Sequence, residues 1–163
     1  MIEQIDIDRP LMTPQGCLLM DLWRAPFEFA RVEWDVLTIE RIYDDCLMGK
    51  AWNFKPIIET VTRDGKKLLS CNDPSRALQK AASYIGGVTG RQYPDLLCRW
   101  PKEKPRDYAL QFTAVQWNRP SDLEHYTLCD AAGINVVYDS APGKIDGWDR
   151  TGVFRGIQVW RVG

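Results

Sequence analysis

Histidine is almost missing from this chain: His125 is the only one in 163 residues. Any catalysis that uses an imidazole therefore has a single candidate. Cysteine is present but unpatterned. Cys17, Cys46, Cys71, Cys98 and Cys129 are an odd number, widely dispersed, with no C-x-x-C pair. That argues against a disulfide framework or a structural zinc site and for thiols in a reducing compartment. No apolar run approaches the length that spans a bilayer, and the opening MIEQIDIDRP is acidic and alternating, unlike a signal peptide. There is no Asn-x-Ser/Thr acceptor either. A cytoplasmic protein without a membrane partner is expected. The net charge of −1 carries no message about nucleic acid.

Several catalytic signatures are lacking as well. No serine sits in a G-x-S-x-G, and no Gly-Lys-Ser/Thr follows a glycine-rich stretch. Gly86-Gly87-Val88-Thr89-Gly90-Arg91 resembles a phosphate loop only superficially. It follows a predicted helix, where the dipole has the wrong sign for an anion. Asp139, Asp146 and Asp149 flank a glycine-bearing loop, but their spacing departs from the calcium-loop pattern, so turn formation explains them better. No metal and no cofactor is expected.

What the sequence does contain is clearest in residues 56–87. Asp64-Gly65 lies between two runs of strand formers and suits a two-residue hairpin, which sets Val61 opposite Leu68 and Ile58 opposite Cys71. Asp73 is positioned to cap a helix that begins at Pro74 and carries Ala77, Leu78, Ala81, Ala82, Tyr84 and Ile85 on one stripe. Gly86-Gly87 is expected to end it in left-handed conformations. A second amphipathic helix is expected over 36–48, with Val36, Ile39, Ile42, Tyr43, Cys46 and Leu47 along one side, Asp35 as cap and Gly49 as stop.

Elsewhere the reading is strand. Ile2, Ile5 and Ile7 suggest a short edge strand, and Cys17–Trp23 and Phe27–Trp34 suggest two strands turning at Ala25-Pro26. Residues 91–106 read as a long loop broken by Pro94, Pro101 and Pro105, with one helical turn near Asp95–Cys98. The last third reads as antiparallel sheet: Tyr108–Trp117, Tyr126–Cys129, Ile134–Tyr138 and Val153–Val162. The expected fold is one α+β domain over 1–163, a mainly antiparallel sheet of about five to seven strands packed with two main helices, 36–48 and 74–85.

Function is argued from three patterns. Charge is uneven: residues 1–60 hold 6 basic and 11 acidic side chains, whereas 61–110 hold 10 and 5. Seven tryptophans are many for this length, and Trp is over-represented at binding hot spots. The loop residues Arg91, Arg99, Trp100, Lys102, Lys104 and Arg106 mix cations with aromatic surface, as macromolecular recognition sites do. The reading that follows is a non-enzymatic interaction module whose partner is a protein, a type frequent among phage and mobile-element accessory proteins and inhibitors.

Two alternatives stand beside it. One is a small-molecule binder or enzyme with a pocket between the sheet and helix 36–48, its polar groups drawn from Glu40, Asp44 or His125. The other is single-stranded nucleic-acid binding through 91–106. A thiol–imidazole pair is weakly indicated. Cys129 lies four positions beyond His125, about 13 Å along a strand, so those two cannot meet by themselves. Only a different cysteine, brought in by the fold, can approach the ring.

Overall fold

The computed structural model describes residues 1–47, 55–89, 96–99, 109–118, 124–130, 134–144 and 156–161. At its start Gln4–Asp6 forms a 3-10 turn in place of the expected edge strand. Local bonding decides this. Asp6 Oδ2 accepts the Glu3 N–H at 2.8 Å, and the Gln4 N–H is drawn to the Ser140 carbonyl, also at 2.8 Å.

A single-turn helix, α1 (Met12–Gln15), leads through Gly16 into α2 (Cys17–Ala30). The two strands expected over Cys17–Trp23 and Phe27–Trp34 do not form. The reason is burial: Leu19, Met20, Leu22, Trp23, Ala25 and Phe27 are all within 2% of full burial. The polar side is confined to a narrow stripe at Arg24 and Glu28, so the dense apolar run before it shows little of the helical period. Pro26 sits inside α2 and does not end it. The helix stops at Arg31, whose φ is 54°.

The helix α3 (Val36–Leu47) presents Ile39, Ile42, Tyr43 and Cys46 to the core, and Asp35 Oδ1 accepts the Thr38 N–H at 2.7 Å. That is the cap the sequence suggests. The hairpin of β1 (Ile58–Arg63) and β2 (Lys66–Cys71) turns through Asp64 and Gly65 at φ 50° and 75°. Its register pairs Val61 with Leu68 and Ile58 with Cys71. The helix α4 (Pro74–Thr89) is capped by Asp73, whose Oδ1 accepts the Arg76 N–H at 3.1 Å. Gly86 and Gly87 do not end it; the helix continues to Thr89 because neither glycine turns left-handed.

The remaining strands are β3 (Leu96–Arg99), β4 (Ala109–Asn118), β5 (Glu124–Asp130), β6 (Val136–Tyr138) and β7 (Gly156–Arg161). They form an antiparallel sheet in the order β3-β7-β4-β5-β6, separate from the β1-β2 hairpin. Where a helical turn is expected near Asp95–Cys98, Leu96–Cys98 lie in strand, because β7 offers a partner: Leu96 pairs with Arg161 and Arg99 with Gln158; Asp95 lies outside the described residues. The chain is thus α+β, with three long helices rather than two.

The core joins α2, α3, α4, the hairpin and the β5-β6 edge of the sheet through Trp23, Phe27, Ile42, Ile58, Leu78, Leu128 and Tyr138. Both surfaces of β5 are covered, since His125, Thr127, Leu128 and Cys129 are all fully buried. The N-terminal turn closes over this edge. Tyr138 Oη donates to the Ile2 carbonyl at 2.7 Å, and Ser140 Oγ bonds Gln4 Oε1 at 2.6 Å.

Candidate functional site

The buried polar groups around β5 form two sets, His125 with Asp139 and, on α2, Cys17 with Asp21. His125, at the start of β5, is fully buried. Its Nε2 lies 2.7 Å from Asp139 Oδ1, and the same oxygen accepts the Ala141 N–H at 2.9 Å. Burial alone raises the Asp139 carboxyl, but the bonds from His125 and Ala141, with the charges of His125 and Lys144, outweigh it and hold it below the ordinary value. An ionised Asp139 draws the imidazole proton onto Nε2. The buried Nδ1 has no hydrogen-bond partner among the described residues.

Cys17 is the first residue of α2 and is 9% exposed. Main-chain hydrogen bonds from Tyr126, the residue next to His125, and from Leu18 reach its sulfur. Burial and the neighbouring Asp21 push the thiol up to about 11, against those bonds and the charge of Lys144. The charge of Lys144 favours the ionised form of both Cys17 and Asp139. Asp21, one turn further along α2, is fully buried with neither carboxyl oxygen partnered, and its proton is held well above the ordinary range by burial and by Asp139.

Beside the thiol opens a cleft of about 320 Å³, lined by Pro14, Gln15, Cys17, Leu18, Leu19, Leu69, Cys71 and Tyr126. Gln15 fixes one wall. Its side-chain amide donates to the Lys67 carbonyl at 3.1 Å and accepts the Leu69 N–H at 2.7 Å, binding the start of α2 to the outer edge of β2.

The residues expected from sequence fall differently. Of the basic stretch, Arg99 belongs to β3, while Arg91, Trp100, Lys102, Lys104 and Arg106 lie outside the described residues. Glu40 and Asp44 are engaged by the N-terminal segment. Arg9 binds Asp44 through Nε at 2.7 Å and a second nitrogen at 2.9 Å, and Glu40 accepts the Asp8 N–H at 2.8 Å. These carboxylates fasten the N-terminal segment to α3. Cys129 stands against Thr127 Oγ1 at 3.4 Å, so the cysteine nearest His125 in sequence has its own surroundings. Asp146 and Asp149 lie outside the described residues, and no cluster of metal-binding side chains occurs among the described ones. Nor is any described helix long and apolar enough to cross a membrane.

Cys17 and Asp139 escaped notice for different reasons. A cysteine at a helix start is a recognisable signal, but the apolar run that follows Cys17 has the look of a strand. Asp139 looks like a turn former, and only the third dimension sets it against a histidine fourteen positions earlier. The chain matches no protein-family model, no curated protein and no solved structure.

Proposed function

We propose that this chain is a thiol-dependent acyl-transfer or hydrolytic enzyme in which Cys17 is the nucleophile, His125 the general base and Asp139 the group that orients the ring. What supports the reading is a fully buried imidazole, held on a carboxylate through Nε2 with its other nitrogen unpartnered, together with a cysteine that begins α2 and lines a cleft with Tyr126, the residue after His125. A nucleophile, a base and a third group orienting the base make up the general pattern for activated thiols and hydroxyls. The high thiol value means that Cys17 rests protonated, so attack requires His125.

In this scheme Sγ attacks a carbonyl carbon while Nδ1 takes the thiol proton. The tetrahedral oxyanion collapses, the leaving group departs with that proton, and a thioester remains. Water, deprotonated by the same nitrogen, then releases the acid and restores the thiol. The positive end of the α2 dipole favours negative charge at Cys17 during the first step. The cleft offers an apolar wall of Leu18, Leu19 and Leu69 to the group beside the reacting carbonyl.

Residue-resolved alkylation with iodoacetamide tests this. At neutral pH Cys17 is expected to react faster than the buried Cys46, whose thiol burial pushes up to about 12. His125→Ala is expected to slow Cys17 by about a hundredfold, the scale of a lost general base. Equal rates in the variant and the wild type would remove His125 from the mechanism.

The interaction-module reading is supported by the sequence pattern at Arg91–Arg106 and by the tryptophan content, and it concerns a different part of the chain. A protein partner and a cytoplasmic location belong to that proposal. Reversing charge at Arg99 and Lys102 together is expected to abolish capture of a protein partner with no change in melting temperature. Undiminished capture would rule the stretch out as the interface.

A further inference from the structure

The outer edge of β2 is guarded along part of its length, and the hairpin register fixes which groups face outward there. A two-residue turn makes Arg63 and Lys66 a hydrogen-bonded pair, and bonded pairs recur from it at Val61–Leu68 and Glu59–Ser70. The Asn72 N–H, which donates to the Ile57 carbonyl at 2.8 Å, continues the series. Lys67 and Leu69 lie between these pairs, so each turns its N–H and its carbonyl away from β1. Gln15 meets two of those groups. Its side-chain amide donates to the Lys67 carbonyl at 3.1 Å and accepts the Leu69 N–H at 2.7 Å. A residue of a parallel neighbouring strand would bind this edge in the same way, so the Gln15 side chain takes the place of one strand residue. Lys66 and Lys67, both exposed, protect the same end with charge. Beyond Gln15 the protection stops. The Leu69 carbonyl comes next along the edge, and Leu69 lines the cleft of about 320 Å³ with Leu18 and Leu19 of α2 and Tyr126 of β5. Among the described residues, no acidic or basic side chain lines this cleft.

We propose that the cleft binds a short extended peptide, which adds to the outer edge of β2 where the Gln15 side chain leaves off and lays an aliphatic side chain against Leu18, Leu19 and Leu69. The edge determines the occupant. A main-chain N–H of the peptide donates to the Leu69 carbonyl and supplies affinity without sequence preference, while the cleft walls select the side chain. An extended backbone is the one ligand that continues the pattern Gln15 begins. Size sets the length. The edge from Leu69 to Cys71 spans about 7 Å, the reach of about two residues of extended chain, and a cleft of about 320 Å³ is at the small end of ligand sites. Uncharged walls disfavour an acidic or basic side chain, whose desolvation nothing there would offset. The site uses neither His125 nor Asp139, so it stands or falls apart from the thiol scheme.

Nuclear magnetic resonance of the full wild-type chain, labelled with nitrogen-15, tests this without a variant that has to fold. The probes are blocked pentapeptides, acetyl-Ser-Thr-X-Thr-Ser-amide, with alanine, valine, leucine or aspartate at the centre. The valine and leucine peptides are expected to shift the amide signals of Leu69, Leu18 and the Gln15 side chain saturably, and the aspartate peptide to bind at least about tenfold more weakly. Methylating the leucine peptide at one amide nitrogen at a time is expected to weaken binding by about tenfold at one position, the scale of a lost hydrogen bond. No shift with any of the four peptides at millimolar concentration would overturn the proposal. Equal affinity across the methylated series would overturn it too, by showing that an apolar side chain fills the cleft without pairing to β2. Shifts of the same signals with protein concentration alone would give the edge to a second copy of the chain and refute the peptide site.

Discussion

Asp21 and Asp139 respond to acid in opposite senses, and stability against pH separates them. Asp21 is held above its ordinary value, so its contribution is complete below pH 3.8 and is lost as pH rises toward its folded-state value. Asp139 is held below 3.8, so its contribution is present above that pH and disappears as pH falls through its folded-state value. Across the range in which only Asp21 titrates, the wild type is expected to lose about 1.4 kcal/mol per pH unit from this one group. Asp21→Asn removes that slope. Melting temperatures measured from pH 4 to pH 8 are expected to fall less steeply in the variant, and parallel curves would show that Asp21 is already ionised in the fold.

The elements differ in how openly they declare themselves. The hairpin is legible because its determinants are adjacent: Asp64 and Gly65 supply two positive φ angles, and the strand pairing follows. The starts of α3 and α4 are legible because Asp35 and Asp73 act on amides three residues away. The end of α4 is not, because a glycine permits a left-handed turn without requiring one. In α2 the local signals point the wrong way. Its polar stripe is narrow, little more than Arg24 and Glu28 one turn apart, and Pro26 resembles a break, so packing against α4 and β5 settles its conformation. The site inherits that opacity, since Cys17 cannot be recognised as a helix start before α2 is recognised as a helix.

The junction between α1 and α2 is correspondingly sensitive. A Cβ on Gly16 would lie 2.6 Å from the Met12 carbonyl oxygen and 2.7 Å from the Met12 side chain. The backbone oxygen cannot yield without moving the turn. Gly16→Ala is expected to cost about 1–3 kcal/mol of stability, the scale of core overpacking, and to slow Cys17 alkylation by shifting the first residue of α2. Thermal unfolding and the alkylation rate together check this. An unperturbed variant would mean that the junction relaxes freely.

On the scale of the whole molecule, the acidic first third is tied down piece by piece. Arg9 spans Asp44 and Glu40, and Tyr43 donates to the Pro10 carbonyl at 2.8 Å. Tyr138 sits edge-on to Trp34, with the Arg24 guanidinium 5.3 Å from the Trp34 ring centre. Of these contacts, those from Ile2 and Gln4 to Tyr138 and Ser140 flank Asp139 on both sides. Removing residues 1–7 is expected to free the Asp139 turn and to bring Cys17 alkylation down toward the rate of His125→Ala. A truncated chain that reacts at the wild-type rate would separate the N-terminal turn from the site.

The bond from Ser140 to Gln4 joins residues 136 positions apart. A ribosome delivers the chain from its N-terminus, so Cys17 emerges early and waits while the rest is made. Its base follows more than a hundred residues later, the carboxylate that aims the base comes later still, and the turn that steadies the carboxylate closes against the oldest part of the chain. Long-range closures of this kind are slow steps in folding. A nascent or truncated chain ending before Glu124 carries the thiol without its base, so the proposed pair can form only after β5 and the turn after β6 have been made.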